Sequence, residues 1–161
     1  MVTFKYGGFS GKILRVNLSK RKITEEELKQ ELVEQFLGGR GLGARMLFEE
    51  VGANIDPLEP DNKLIFATGP LNGTKVPSCS RYAVVTKSPL TGLFLESLAA
   101  GFLAPHLKFA GYDAIIVEGK SEKPVYLWIT NGKVELRDAS WLWRMLTDDT
   151  QRLLKKETDE R

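Results

Sequence analysis

Val76–Gly119, VPSCSRYAVVTKSPLTGLFLESLAAGFLAPHLKFAGYDAIIVEG, is the stretch that decides how this chain is read. It sets apolar, strand-like runs between turn residues and basic or hydroxyl side chains. Tyr82–Lys87 reads as a strand, and Pro89-Leu90-Thr91-Gly92 turns the chain after it. Arg81 heads that strand, two residues after Cys79, and Thr86, Lys87 and Ser88 end it. This pattern predicts a strand feeding a loop whose donors can hold an anion. Further on, Pro105 fits the first turn of a short helix through Phe109 that Gly111 closes. Asp113–Glu118 reads as a second buried strand, ended by Gly119. The segment between, from Leu93, follows neither period clearly.

Upstream, KILRVNL (12–18) alternates, with Leu14, Val16 and Leu18 on one side: a half-buried strand. Lys22-Ile23-Thr24 is the expected return strand. Thr24-Glu25-Glu26-Glu27 has the form of a capping box, predicting a helix to about Leu37 that Gly38-Gly39 stops. Gly39-Arg40-Gly41-Leu42-Gly43 is as glycine-dense as a phosphate loop, but it follows a helix and lacks the GxGxxG spacing. It is expected to join two helices, the second over Ala44–Glu50, with Arg40 either solvated or capping a helix, or else touching a ligand phosphate. Lys63–Thr68 reads as a short buried strand and Gly69–Gly73 as a turn. Downstream, PVYLWIT and KVELR flank Asn131-Gly132, the signature of a type I′ hairpin. Trp141, Trp143 and Leu146 are expected in the core, and Thr147-Asp148-Asp149 should cap a last helix to about Thr158.

Frequent hairpins without sustained βαβ alternation predict an α+β fold with a mixed, mostly antiparallel sheet and short helices. The 161 residues are about one domain, with a net charge of +2. That charge gives no bulk field for nucleic acid or membrane surfaces. No apolar run reaches bilayer length and the N-terminus lacks a signal-peptide core, so a cytoplasmic location is the expectation. The single cysteine excludes an internal disulfide and any cluster or zinc site built from this chain's thiols alone. Cys79 reads as a small packed side chain or, beside Lys75 and Arg81, an activated thiol. His106, the one histidine, reads as structural, because a general base needs a positioned partner. No catalytic or metal-ligating set emerges.

Resemblance carries the reading further. The ordered segments GKILRVNLS, FLGGRGLGARML, DPLEPDNKLIFATGPLNGT, SRYAVVTKSPLTG, LKFAGYDAIIVEGKSEKPVYLWI and RDAS resemble the N-terminal domain of the tungsten-containing aldehyde ferredoxin oxidoreductases, over roughly residues 7–140. The resemblance implies that domain's fold, on which a tungsten (or molybdenum) bis-pyranopterin sits, while later domains supply the cysteines of a 4Fe–4S cluster. It implies aldehyde oxidation to the acid, with ferredoxin as electron acceptor. The family's arginine between cluster and pterin corresponds to Arg81, and a permanently charged guanidinium fork suits anionic phosphate or cluster sulfur. The family's NSGG segment, whose backbone meets the pterin diphosphate and its magnesium, aligns with Leu98-Ala99-Ala100-Gly101. Backbone contacts at Leu98 and Ala100 are therefore expected, although an alanine held at positive φ would cost about 1 kcal/mol. Near Trp143 the family often reads LWG where this chain has Leu142-Trp143-Arg144.

Residues 1–161 are thus expected to form a single, incomplete cofactor-cradling domain, with no cofactor retained by the chain alone. The alternative is a non-catalytic assembly module or split subunit, inactive without a partner chain or a second copy. Ile115, Val117, Leu127 and Ile129 are expected to lack their usual cover.

Overall fold

The computed structural model describes residues 7–130 and 132–158. In chain order the elements are β1 (Lys12–Asn17), β2 (Lys22–Glu27), α1 (Gln30–Phe36), α2 (Gly39–Glu50), β3 (Lys63–Ala67), β4 (Tyr82–Lys87), β5 (Phe94–Ala99), α3 (Leu103–Phe109), β6 (Ala114–Glu118), β7 (Val125–Thr130), β8 (Lys133–Asp138), a 3₁₀ turn at Ser140–Leu142 and α4 (Thr147–Thr158). The first six strands form one sheet in the order β2-β1-β6-β3-β4-β5, and β7 and β8 form a separate hairpin. Only the β1–β6 pairing is parallel among the described strands. The fold is α+β with a mostly antiparallel sheet, as expected.

Alternation along the strands fills two cores. Ile13, Ile65, Ala67, Ala83, Val85, Ala114 and Ile116 point to the side where α1 and α2 pack, joining Val33, Leu42, Met46 and Leu47. The intervening Leu14, Val16 and Ile115 point the other way and meet Leu107, Tyr112 and the apolar side of the β7–β8 hairpin. Both faces of β1 and β6 are therefore covered, and the half-buried strand expected for β1 is a central one. The cover expected to be missing is present: Ile115 is buried, and Val117, Leu127 and Ile129 pack against the second core.

The polar contacts follow the same layering. Arg15 lies on the α2 side of β1 and grips Glu26 at 2.5 Å and Glu50 at 2.7 Å, with Glu118 at 3.2 Å. Glu118 also receives Lys63 at 2.5 Å and Asn17 at 2.7 Å. The hydrogen bonds that it donates to Glu50, then to Glu26, hold the Arg15 guanidinium well above its ordinary range despite the opposing effect of burial. Asp113, almost wholly buried, accepts the Ser10 and Gly11 amides and pairs with Lys108, tying the chain's start to the end of α3.

Three sequence readings are corrected. Thr24–Glu27 belongs to β2, not to a capping box. Its acids serve across the sheet, Glu25 to Lys12 at 2.7 Å and to the Tyr112 hydroxyl at 2.6 Å, Glu26 to Arg15. The helix begins later, after Lys29, with no side-chain cap. The glycine-dense Gly39–Gly43 is not a linker but the first turns of α2. The glycines there allow close packing: a Cβ on Gly43 would stand 2.9 Å from Val85 Cγ2. Finally, Trp141, Trp143 and Leu146 are exposed and Leu142 between them is the buried residue, because a 3₁₀ turn replaces the helical spacing. The hairpin forms as read, although Asn131 of its turn lies outside the described residues.

Candidate functional site

The site grows from the β4–β5 end of the sheet. These strands pair antiparallel with Tyr82 opposite Ala99 and Ala83 opposite Leu98. Arg81 and Ala100 follow directly on these paired strand ends, and just beyond them the Gly101 amide donates to Ser80 Oγ at 3.5 Å. Directly paired residues share a sheet face. Leu98 therefore lies on the face that Ala83 and Val85 share, the α2 side, with Arg81 and Ala100 next to it past the paired ends. The structure brings the three sequence candidates to one corner.

Each has the surroundings a ligand contact needs. Arg81 is exposed, and its guanidinium has no hydrogen-bond or ion-pair partner among the described residues. Strand β5 is an edge, so half of its backbone donors and acceptors have no strand partner. Gly101 takes the left-handed φ of +110°, with no atom within 4 Å of where a Cβ would stand. Ala100 is not among the positive-φ residues, so the strain anticipated for it is absent; the next residue, a glycine, makes the turn.

The loop that carries Arg81 is shaped by Asn72, which is 6% exposed. Its Oδ1 accepts the Gly69 amide at 2.6 Å. Its Nδ2 donates to the carbonyls of Cys79 at 2.8 Å and Arg81 at 3.1 Å. The turn reading of Gly69–Gly73 missed this residue. The signal available was an asparagine inside a glycine-flanked turn, a residue type that bonds neighbouring backbone. Ser78, in the stretch so pinned, is one of few non-glycine residues at positive φ, +61°.

Helix α2 begins at the same corner, its Gly39 amide bonded to Thr68 O at 2.9 Å. Arg40, in the first turn, pairs with Glu96 of β5 at 2.5 Å, and that hydrogen bond raises the guanidinium's already high pKa. Both arginine readings had missed this cross-element pair. The other Glu96 oxygen is buried without a partner. Along the same face, an apolar cleft of about 730 Å³ runs between α2 and β5, lined by Phe48, Val51, Leu93 and Phe94.

The remaining candidates stand apart. His106 is exposed on α3 between the rings of Phe102 and Phe109, with no carboxylate beside it among the described residues. Cys79 is half-buried, its thiol directed at Pro77 O at 3.5 Å. No group of three His, Cys, Asp or Glu side chains able to hold a metal occurs among the described residues. No helix among them is long and apolar enough to cross a membrane. What the corner offers is a guanidinium, a helix N-terminus and open backbone groups. That donor set fits the anionic part of a pterin cofactor and any cation bridging its phosphates.

Comparison with known proteins identifies the family and the fold. Residues 13–161 match the family described as aldehyde ferredoxin oxidoreductase, N-terminal domain. The tungsten-containing aldehyde ferredoxin oxidoreductase of Pyrococcus horikoshii is 51% identical over 96% of this chain and 25% of its own length. A Pyrococcus furiosus protein named aliphatic sulfonate oxidoreductase, WOR-like subunit, is 41% identical over 94% of this chain and 24% of its own length. Among solved structures, a chain of the active site complex BamBC of benzoyl coenzyme A reductase, in complex with 1,5-dienoyl-CoA, superposes with a TM-score of 0.93. It is 44% identical, covering 96% of this chain and 24% of that one. The chain thus spans about a quarter of the length of the relatives it matches.

Proposed function

This chain belongs to the aldehyde ferredoxin oxidoreductase N-terminal domain family, and from that premise we propose that residues 1–161 are the cofactor-cradling part of a tungsten- or molybdenum-pterin oxidoreductase. The reaction proposed is oxidation of an aldehyde to its carboxylic acid with ferredoxin as electron acceptor, in the cytoplasm. When bound, the pterin-held metal supplies the oxo and redox chemistry, and a 4Fe–4S cluster held outside this chain relays electrons. This chain's own residues bind and orient. Arg81 donates to the anionic edge of the pterin, and the backbone at Leu98 and Ala100 meets its phosphates or their cation. The observation that carries the reading is the convergence of an Arg81 guanidinium unpartnered among the described residues with the edge-strand backbone of Leu98–Gly101 at one corner. The relatives supply independent support. Proteins named for aldehydes, aliphatic sulfonates and benzoyl-CoA are alike over this same region, as expected of a part that holds what they share and leaves substrate choice to other parts.

The likeness to a chain of a complex titled BamBC favours a second reading, a split subunit or assembly module inactive alone. Two measurements test these readings. Purified alone, the 161 residues should show no aldehyde-dependent viologen reduction and no bound tungsten; turnover by the chain alone would overturn the cradle-only reading. In the holoprotein, Arg81→Ala should lower tungsten and pterin content per chain about tenfold or more, in line with loss of a charge-assisted hydrogen bond. Arg152→Ala, on the exposed side of α4, should not. Equal content in the two variants would remove Arg81 from the site.

A further inference from the structure

We propose that Asn72 is the positioning residue of the cofactor corner: it sets the direction of Arg81 by holding the backbone on both sides of Ser80. This rests on the reading of Arg81 given above. The geometry is specific to an amide side chain. The oxygen is committed to the Gly69 amide at 2.6 Å, while the nitrogen spends both protons on the carbonyls of Cys79 and Arg81 at 2.8 and 3.1 Å. Both ends of the side chain are thus fully used, in a place that is 6% exposed. No other residue type offers one acceptor and two donors at that length. An aspartate of the same shape would keep the first bond and turn a carboxylate toward two carbonyl oxygens.

The bonds do more than close a turn. They join the turn after β3, at Gly69, to the head of β4, whose two carbonyls lie seven and nine residues beyond Asn72 in sequence. Between those two carbonyls lie Ser80 and its contact with the Gly101 amide, so the same clamp sets the spacing of Arg81 from the Leu98–Gly101 backbone. Ser78, one residue before the clamped Cys79 carbonyl, takes φ +61°, a conformation uncommon for a serine. Asn72 touches no site for a ligand directly; it acts through Arg81.

The test uses the tungsten-loaded holoprotein and four variants: Asn72→Ala, Asn72→Asp, Arg81→Ala, and the double variant Asn72→Ala with Arg81→Ala. Two quantities are read. One is tungsten and pterin content per chain; the other, in the cofactor-free protein, is amide hydrogen exchange across Ser78–Tyr82. Both Asn72 variants should raise exchange in that stretch about tenfold and lower cofactor content three- to tenfold, with aspartate no better than alanine. Because Asn72 acts through Arg81, the double variant should lose no more cofactor than Arg81→Ala alone. Multiplied losses in the double variant would mean a merely structural role and overturn the proposal. So would a loosened loop with full cofactor content while Arg81→Ala loses it, which leaves the Arg81 reading intact. If Arg81→Ala itself retains full cofactor, the Arg81 reading fails and the positioning role falls with it.

Discussion

At its centre the six-stranded sheet is covered twice over; at its β4–β5 end it is not. Leu14, Ile65, Ile116 and Val16 are at most 1% exposed, and Arg15 binds three carboxylates from three elements beside them. At the other end Phe48 is 80%, Leu90 92%, Leu93 69% and Leu98 51% exposed, Glu96 keeps one oxygen unpartnered, and Arg81 none of its donors satisfied by the described residues. Monomeric domains seldom leave contiguous apolar surface of this kind without a use for it. The contrast is one of cover: the centre is packed on both faces, whereas the β4–β5 end holds the fold through Ala83 and Val85 on one face and leaves the side chains toward its edge open.

The sharpest way to break this contrast is to cut a methyl-rich side chain at each end. Ile116→Ala should cost about 3–4 kcal/mol in chemical denaturation, since its place between α2 and the sheet cannot collapse. Leu98→Ala, half in water already, should stay within about 0.5 kcal/mol. Comparable losses would mean the β5 end carries the fold too. Next in size, Arg15→Ala should cost about 2 kcal/mol, because Glu26, Glu50 and Glu118 lose a shared cation in a partly covered setting. Arg40→Ala, whose side chain is 65% exposed, should leave the denaturation midpoint close to that of the parent protein.

Gly43→Ala sharpens the comparison at the junction of the two ends. Overpacking against Val85 should outweigh the helix-propensity gain and leave a net loss of about 1 kcal/mol. The smallest effect is a slope. Burial alone would raise the Glu118 carboxyl, but hydrogen bonds from Lys63 and Asn17 and the charges of Lys63 and Arg15 outweigh it, leaving the group below its ordinary range. Its stabilisation is therefore complete above the unfolded value of about 4.5 and is lost as pH falls through the lower folded value. Glu118→Gln should flatten the acid side of a stability-versus-pH curve, and an unchanged curve would remove that carboxylate from the acid response.

The sequence was most legible where one period acts alone. KLIFA and YAVVTK, the β7–β8 hairpin and the last helix all form as read, since apolar alternation or a two-residue turn decides them locally. It misled where tertiary partners outbid local chemistry. Thr24–Glu27 has helix-cap residues, but Arg15, Lys12 and Tyr112 across the sheet claim those acids. Gly39–Gly43 looks like a linker because the packing that makes its small size useful, against Val85, lies over forty residues away. Of the site, Arg81, Leu98 and Ala100 were reached through resemblance, and no local pattern marks them as neighbours; the β4–β5 register does that. Asn72 was half legible: its bond to the Gly69 amide is local turn chemistry, but those to the Cys79 and Arg81 carbonyls depend on how the loop folds back to β4.

The close seat of α2 on β4 has a mechanical side. With no room for a Cβ at Gly43, the helix lies against Val85 and Ala67 with nothing between them that could act as a bearing. A sideways slip by even one side chain would drive backbone into those methyl groups, so helix and strand have high shear stiffness and translate together. Arg40 at the head of α2 and the Leu98–Ala100 backbone next to β4 are therefore carried on one stiff unit. The Gly69–Ser80 loop lies outside that close seat, and a single asparagine holds its shape.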